Sequence, residues 1–129
     1  MSREPQIRIK KCNDGYKFFV FPAKFYCDQP IGQSVKAYQT LNECKQELEN
    51  FKTLVLRNGL CTEDGKYVKI ERKKIKPSYS KSPENFYYFM YYDENGQGIF
   101  ERKAGYSRRE NCKKGINAVF NAINQVADI

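Results

Sequence analysis

Shifted against itself by 68 residues, this 129-residue chain meets its own pattern again. Ile31, Tyr38, Cys44, Leu48, Phe51 and Val55 land on Ile99, Tyr106, Cys112, Ile116, Val119 and Ile123, and Phe18 to Phe21 land on Phe86 to Phe89 with no gap. Two copies of one strand-and-helix unit are implied. A lone unit of roughly 60 residues would bury only about 60% of the surface its unfolded chain exposes. The expectation is therefore a single domain, residues 1–129, in which repeat one (about 6–58) and repeat two (about 66–127) share a core.

The residues inside each copy say what the unit is. Ile7-Arg8-Ile9-Lys10 alternates apolar and basic, the period of a half-buried strand, and Asn13-Asp14-Gly15 signals a turn. Tyr16 to Phe21 and Ile31 to Ala37 give a second and a third strand. Thr40-Leu41-Asn42-Glu43 is a capping box opening a helix, with Leu41, Cys44, Leu48, Phe51 and Val55 on one face and Asn58-Gly59 as the stop. Repeat two gives strands at Tyr67 to Lys73, Phe86 to Tyr92 and Gly98 to Lys103. A Lys-, Ser- and Pro-rich loop spans Lys74 to Glu84, and Asn95-Gly96 is a hairpin turn. A second capping box, Ser107-Arg108-Arg109-Glu110, falls one residue early relative to the repeat and opens the stripe Cys112, Ile116, Val119, Phe120, Ile123 and Val126. Three strands joined by short turns run antiparallel. The fold class expected is α+β: two tandem strand–strand–strand–helix repeats with antiparallel sheets, pseudo-two-fold, each sheet covered by its own helix over a shared core.

Residue types exclude several chemistries. Histidine is absent, so the chain holds no Ser-His or Cys-His nucleophile pair and lacks the commonest nitrogen metal ligand. The five cysteines, Cys12, Cys27, Cys44, Cys61 and Cys112, are odd in number and none pair in a C-x-x-C spacing. They support neither a disulfide framework nor a zinc knuckle. Cys44 and Cys112 take equivalent apolar helix positions and read as small hydrophobes. Cys12, beside Lys10 and Lys11, is the candidate reactive thiol. The acids are scattered singly, and no phosphate-cradling glycine loop or metal-ligand spacing appears. The longest apolar run, Phe86 to Tyr92, has seven residues and the N-terminus lacks a secretory core, so the expected location is the cytoplasm, with no membrane contact. No enzyme activity, cofactor or metal is expected.

Gly105-Tyr106-Ser107 followed by Cys112-Lys113-Lys114-Gly115-Ile116-Asn117-Ala118-Val119, with Phe86-Tyr87-Tyr88-Phe89, Asn95-Gly96 and Ile99 upstream, resembles a repeat of the YegP-like family. The resemblance covers nearly the whole chain in plan and is more specific in repeat two. It implies a small bacterial protein of one or two such units; the family carries no agreed catalytic residues, so it assigns none here. Repeat one departs from the motif: at the 68-residue offset Cys27-Asp28 stands for Asn95-Gly96, and Glu47 for Gly115.

What remains are surfaces. The net charge is +8, and residues 57–82 hold eight basic and three acidic residues whereas residues 83–129 hold six of each. Lys66, Lys69, Arg72, Lys73, Lys74, Lys76 and Lys81 form the basic segment; it either favours an anionic partner or protects a sheet edge. In the aromatic strand, Phe86, Tyr88, Met90 and Tyr92 alternate with Tyr87, Phe89 and Tyr91, and only one set can pack on helices. Tyr87 and Tyr91 are candidates for the open set. Arg108 and Arg109 stand at a helix start, where amides attract anions. The expected function is a non-enzymatic binding module acting through a basic, tyrosine-rich surface on another protein, as monomer or homodimer, with single-stranded DNA or RNA as the alternative partner.

Overall fold

The computed structural model describes residues 5–22, 29–59, 67–79 and 81–127. Among them run β1 (Gln6–Cys12), β2 (Gly15–Phe21), β3 (Gly32–Ser34), α1 (Leu41–Asn58), β4 (Val68–Ile75), β5 (Glu84–Tyr92), β6 (Gly98–Glu101) and α2 (Arg109–Ala127). The α+β plan is as expected, but the two sheets are one. A six-stranded antiparallel sheet runs β1-β2-β3-β6-β5-β4, closed in the middle by β3 pairing with β6. In that pair Gln33 faces Glu101, its own equivalent 68 residues on, so the pseudo-two-fold axis passes through this pair.

The alignment of the strands needs correction. Tyr16 bridges Tyr38 in repeat one and Tyr87 bridges Tyr106 in repeat two, so β2 maps onto β5 at an offset of 71, not 68. Phe18 thus matches Phe89, and Val20 matches Tyr91, all four being buried. Ile7 faces Val20 as Val68 faces Tyr91, which sets the β1-to-β4 offset at 61. The physical reason is loop length. The β4–β5 hairpin is ten residues longer than the β1–β2 hairpin and the β5–β6 connection is three residues shorter than the β2–β3 connection, while the parts after β3 and β6 stay in step. An offset wrong by an odd number also inverts the faces of a strand. The matching of Cys27-Asp28 with Asn95-Gly96 rests on Cys27 and Asp28, which lie outside the described residues.

Strand ends follow local bonding. β3 stops at Ser34, short of Ala37, because Ser34 Oγ accepts the Phe18 N–H at 3.2 Å and donates to the Lys36 carbonyl at 2.9 Å, displacing the ladder. β4 runs past Lys73 to Ile75 and β5 begins at Glu84, so the connecting loop is shorter than sequence suggests. β6 stops at Glu101, short of Lys103, where the Arg102 side chain turns across the seam to the carbonyls of Pro30 (3.0 Å) and Ile31 (3.3 Å).

α1 starts as its capping box requires: Thr40 Oγ1 accepts the Glu43 N–H at 3.1 Å. It ends at Gly59, at φ 69°, where a side chain would be strained. α2 starts at Arg109, in register with Leu41 of α1, and its first bond runs from the Cys112 N–H to the Arg108 carbonyl. Arg108, not Ser107, therefore stands at the capping position.

Both helices lie on one face of the sheet. Cys44, Leu48, Phe51 and Val55 of α1 and Cys112, Ile116, Val119, Ala122 and Ile123 of α2 enter one buried cluster with Phe18, Val20, Val68, Ile70, Phe89, Tyr91 and Phe100. The helices are not private to their own repeats: α2 also packs on β1 and β2. Phe100 sits at the centre. Its ring centroid lies 4.4 Å from Phe51 and 5.9 Å from Phe18, both of repeat one, and 6.4 Å from Phe89 and 5.9 Å from Tyr91, both of repeat two. Burying rings of this size contributes on the order of 1.5–3 kcal/mol each, which is what ties the repeats together.

Candidate binding surface

Strand alternation now decides which side chains face away from the helices. The described residues of that face include Arg8 and Lys10 on β1, Lys17, Phe19 and Phe21 on β2, Gln33 on β3, and Glu101 on β6. β5 gives Glu84, Phe86, Tyr88, Met90 and Tyr92, and β4 gives Lys69, Glu71, Lys73 and Ile75. Six strands at about 4.8 Å spacing make a surface about 24 Å wide. Tyr91 is on the other face: it is 5% exposed and edge-on to Phe51 at 5.2 Å. Tyr87 also points to the helix layer, half-buried against the core. Neither belongs to the face turned from the helices, because the buried positions Phe18 and Val20 fix which face of the matching strand turns inward. The tyrosines of the face turned from the helices are Tyr88 and Tyr92, both part-exposed.

Cations and rings interleave on this face. The Arg8 guanidinium lies 5.3 Å from the Phe21 centroid, and Lys10 Nζ lies 5.2 Å from Phe21 and 5.7 Å from Phe19. Across the sheet, Lys69 Nζ lies 5.4 Å from Tyr92 and Lys73 Nζ 4.9 Å from Tyr88. The Arg8–Phe21 contact and the Lys69–Tyr92 contact are the same contact, carried by the 61- and 71-residue offsets. Each contributes about 0.5–1 kcal/mol at an exposed site. Phe21 is itself buried, so the rings available to a partner are those of Phe19, Phe86, Tyr88 and Tyr92. Burial and then the Glu71 carboxylate push the Tyr92 phenol up, so it stays neutral and able to donate.

The two halves differ in charge. Lys10 and Lys17 stand directly opposite each other with no acid among the described residues on their half of the face. Like charges in that position are destabilising. The other half mixes Lys69 and Lys73 with Glu71, and a shallow hollow of about 170 Å³ there is lined by Glu71, Lys73, Tyr88, Met90, Glu101 and Lys103.

The basic segment is only partly assembled into this face. Lys69 and Lys73 belong to it; Arg72 and Lys74 alternate to the other side of β4, exposed beyond the helices; Lys76 and Lys81 lie in the β4–β5 connection; Lys66 lies outside the described residues. Arg108 and Arg109 begin α2, on the helix side of the sheet, and are not part of the face. Sequence reasoning missed Arg8, Lys10, Lys17 and Phe19. Their signal was present: carrying the alternation of Ile7-Arg8-Ile9-Lys10 through the Asn13-Asp14-Gly15 turn puts all four on one side.

Elsewhere, Cys44 and Cys112 are buried; burial, then Cys12, pushes the Cys44 thiol up. The Cys12 thiol makes a long 3.9 Å contact to the Lys10 carbonyl, and Cys61, like Cys27, is outside the described residues. Among the described residues no group of three His, Cys, Asp or Glu side chains could hold a metal ion, and no helix is long and apolar enough to cross a membrane. Comparison with protein-family models, curated proteins and solved structures returned no match to this chain.

Proposed function

We propose that this protein is a non-catalytic, cytoplasmic binding module whose open sheet face takes single-stranded nucleic acid. One observation carries the reading: four part-exposed rings and five cations share one sheet face about 24 Å wide, with both helices on the other side. Rings accept unstacked bases and cations neutralise phosphates, and the two alternate at the spacing of neighbouring side chains. The unrelieved Lys10–Lys17 pair supports an anionic occupant, since a bound phosphate would remove its repulsion. A protein partner ranks second. Protein hot spots centre on well-packed apolar pockets, and the hollow on this face is small and lined by charges. We further propose that the chain is a YegP-like tandem repeat. Support comes from three of its motif residues packing together: Tyr106 bridges Tyr87, and its hydroxyl sits where a Cβ on Gly115 would be.

Fluorescence anisotropy with an oligothymidylate and with an acidic peptide of equal charge tests the assignment. The oligonucleotide should bind more tightly, with affinity falling steeply as salt rises. No oligonucleotide binding at low salt sinks the reading, and a preference for the peptide moves the assignment to protein.

A further inference from the structure

We propose that the outer end of the β4–β5 hairpin is a phosphate-binding arm that lengthens the site beyond the sheet, so that the bound strand is longer than the sheet is wide. This rests on the open-face reading above. The two repeats supply the argument. In repeat one, Cys12 pairs with Gly15 across the two residues Asn13 and Asp14. The equivalent pair in repeat two, Lys73 with Phe86, encloses residues 74–85, twelve in all, so ten are additional. The ladder continues outward through Lys74–Asn85 and Ile75–Glu84 before the connection begins.

The core does not require this extension, because repeat one closes its hairpin without it. Every residue from Glu71 to Ile75 is exposed, so no helix lies beneath the outer part of β4. Residues 72–85 carry five cations, Arg72, Lys73, Lys74, Lys76 and Lys81, against one acid, Glu84. Alternation puts Arg72 and Lys74 on one side of the ribbon and Lys73 on the other. Among the described residues none of Lys74, Lys76 and Lys81 has an ion pair. Glu84 is engaged elsewhere: it accepts a hydrogen bond from the hydroxyl of Tyr79 at 3.2 Å. Lysines on an edge strand block unwanted sheet pairing, which accounts for Lys74. It does not account for Lys76 and Lys81, which lie past the last strand pair. Tyr79, 77% exposed in the same connection, adds a ring beside these charges.

The test compares the full chain with two variants. One replaces residues 74–85 by Asn-Gly, copying the short turn of repeat one; the other is K74Q/K76Q/K81Q, which keeps the ribbon. Oligothymidylates of about 6 and about 20 nucleotides span the range of single-strand sites. Both variants should bind the short strand as the full chain does. On the long strand they should lose about tenfold to a hundredfold at 0.1 M salt, with the salt slope reduced by about 2, as three lost phosphate contacts imply. Retention of the full chain's preference for the longer strand by the triple variant overturns the arm and leaves the face intact. Failure of the full chain to bind either strand overturns the face reading, and the arm with it. Equal affinity for polyglutamate of matching charge also overturns the arm as a nucleic-acid element.

Discussion

The two halves of the sheet are built on one plan and carry different surfaces. Towards the helices they agree: Phe18 matches Phe89, Ile9 matches Ile70, and Tyr38 matches Tyr106, each with the same packing role. Away from the helices they diverge. Where repeat one has Lys17, repeat two has Tyr88; where it has Lys10, repeat two has Glu71; where it has Gly15, repeat two has Phe86. Repeat one presents positive charge with no acid among its described face residues, and repeat two presents three rings among charges of both signs. A shared core constrains the inner residues of a duplicated unit and leaves the outer ones free, so the outer residues are where the halves acquire separate tasks.

The largest expected effect tests the agreement. Phe100→Ala removes the ring touching both repeats and should cost about 3–5 kcal/mol, lowering one cooperative denaturant transition. Two separated transitions, with repeat one unaffected, would contradict the shared core. Second, the divergence can be tested by swapping readouts. Tyr88→Ala and Tyr92→Ala should each weaken oligonucleotide binding by about 1–3 kcal/mol at every salt concentration. The double variant K10Q/K17Q should instead flatten the salt slope by about 1.4 and raise stability by roughly 0.2–1 kcal/mol through relief of the facing charges. Identical signatures from the two sets would mean that the halves are not specialised.

A third test uses the equivalent tyrosines. Tyr38 faces Glu47 where Tyr106 faces Gly115. Burial, and then the Glu47 carboxylate, push the Tyr38 phenol up to about 12. Its unfolded value is near 10, so the stability it gives is fully present below pH 10 and is lost as pH rises towards 12. Discounting for the half-exposed ring, about 1–2 kcal/mol is at stake. Tyr38→Phe should flatten this part of an alkaline unfolding profile; an unchanged profile assigns the loss to another group. The smallest test compares the helix starts. Thr40→Ala should lose about 1 kcal/mol, whereas Arg108→Thr, at the matching position, should gain up to about 1 kcal/mol in thermal or chemical melts.

Helices and their faces were legible because apolar spacing, Thr40 and Gly59 are local signals. The joining of β3 to β6 was not, since Gly32, Gln33 and Ser34 are three small or polar residues with no strand pattern, paired over a long separation. The displaced alignment of β2 on β5 had a different cause. Both strands are dense in aromatics, so a three-residue slip still matches ring to ring, and only the hydrogen bonds of Tyr16 and Tyr87 to the equivalent tyrosines, Tyr38 and Tyr106, fix the true register. That slip put Tyr87 and Tyr91 on the wrong side and hid Tyr88 and Tyr92. In sequence the cations of β1 stand as strand alternation and as neighbours of Cys12, and only the pairing of β1 with β2 brings Arg8 and Lys10 onto one face with Lys17.

Gly32 and Phe100 occupy the same place in the two repeats. A Cβ on Gly32 would lie 2.5 Å from the Phe100 ring and 2.8 Å from the Glu101 carbonyl oxygen. One half keeps the space empty and the other fills it. Two copies of repeat one would meet glycine to glycine over a hole the size of a benzyl group, and two copies of repeat two would drive two rings into one volume. The halves have thus become complementary parts rather than duplicates, and neither can serve as its own partner. Expressed as separate chains they should associate only as unlike pairs, which native mass spectrometry reads directly; a stable like pair would show that the seam tolerates symmetry after all.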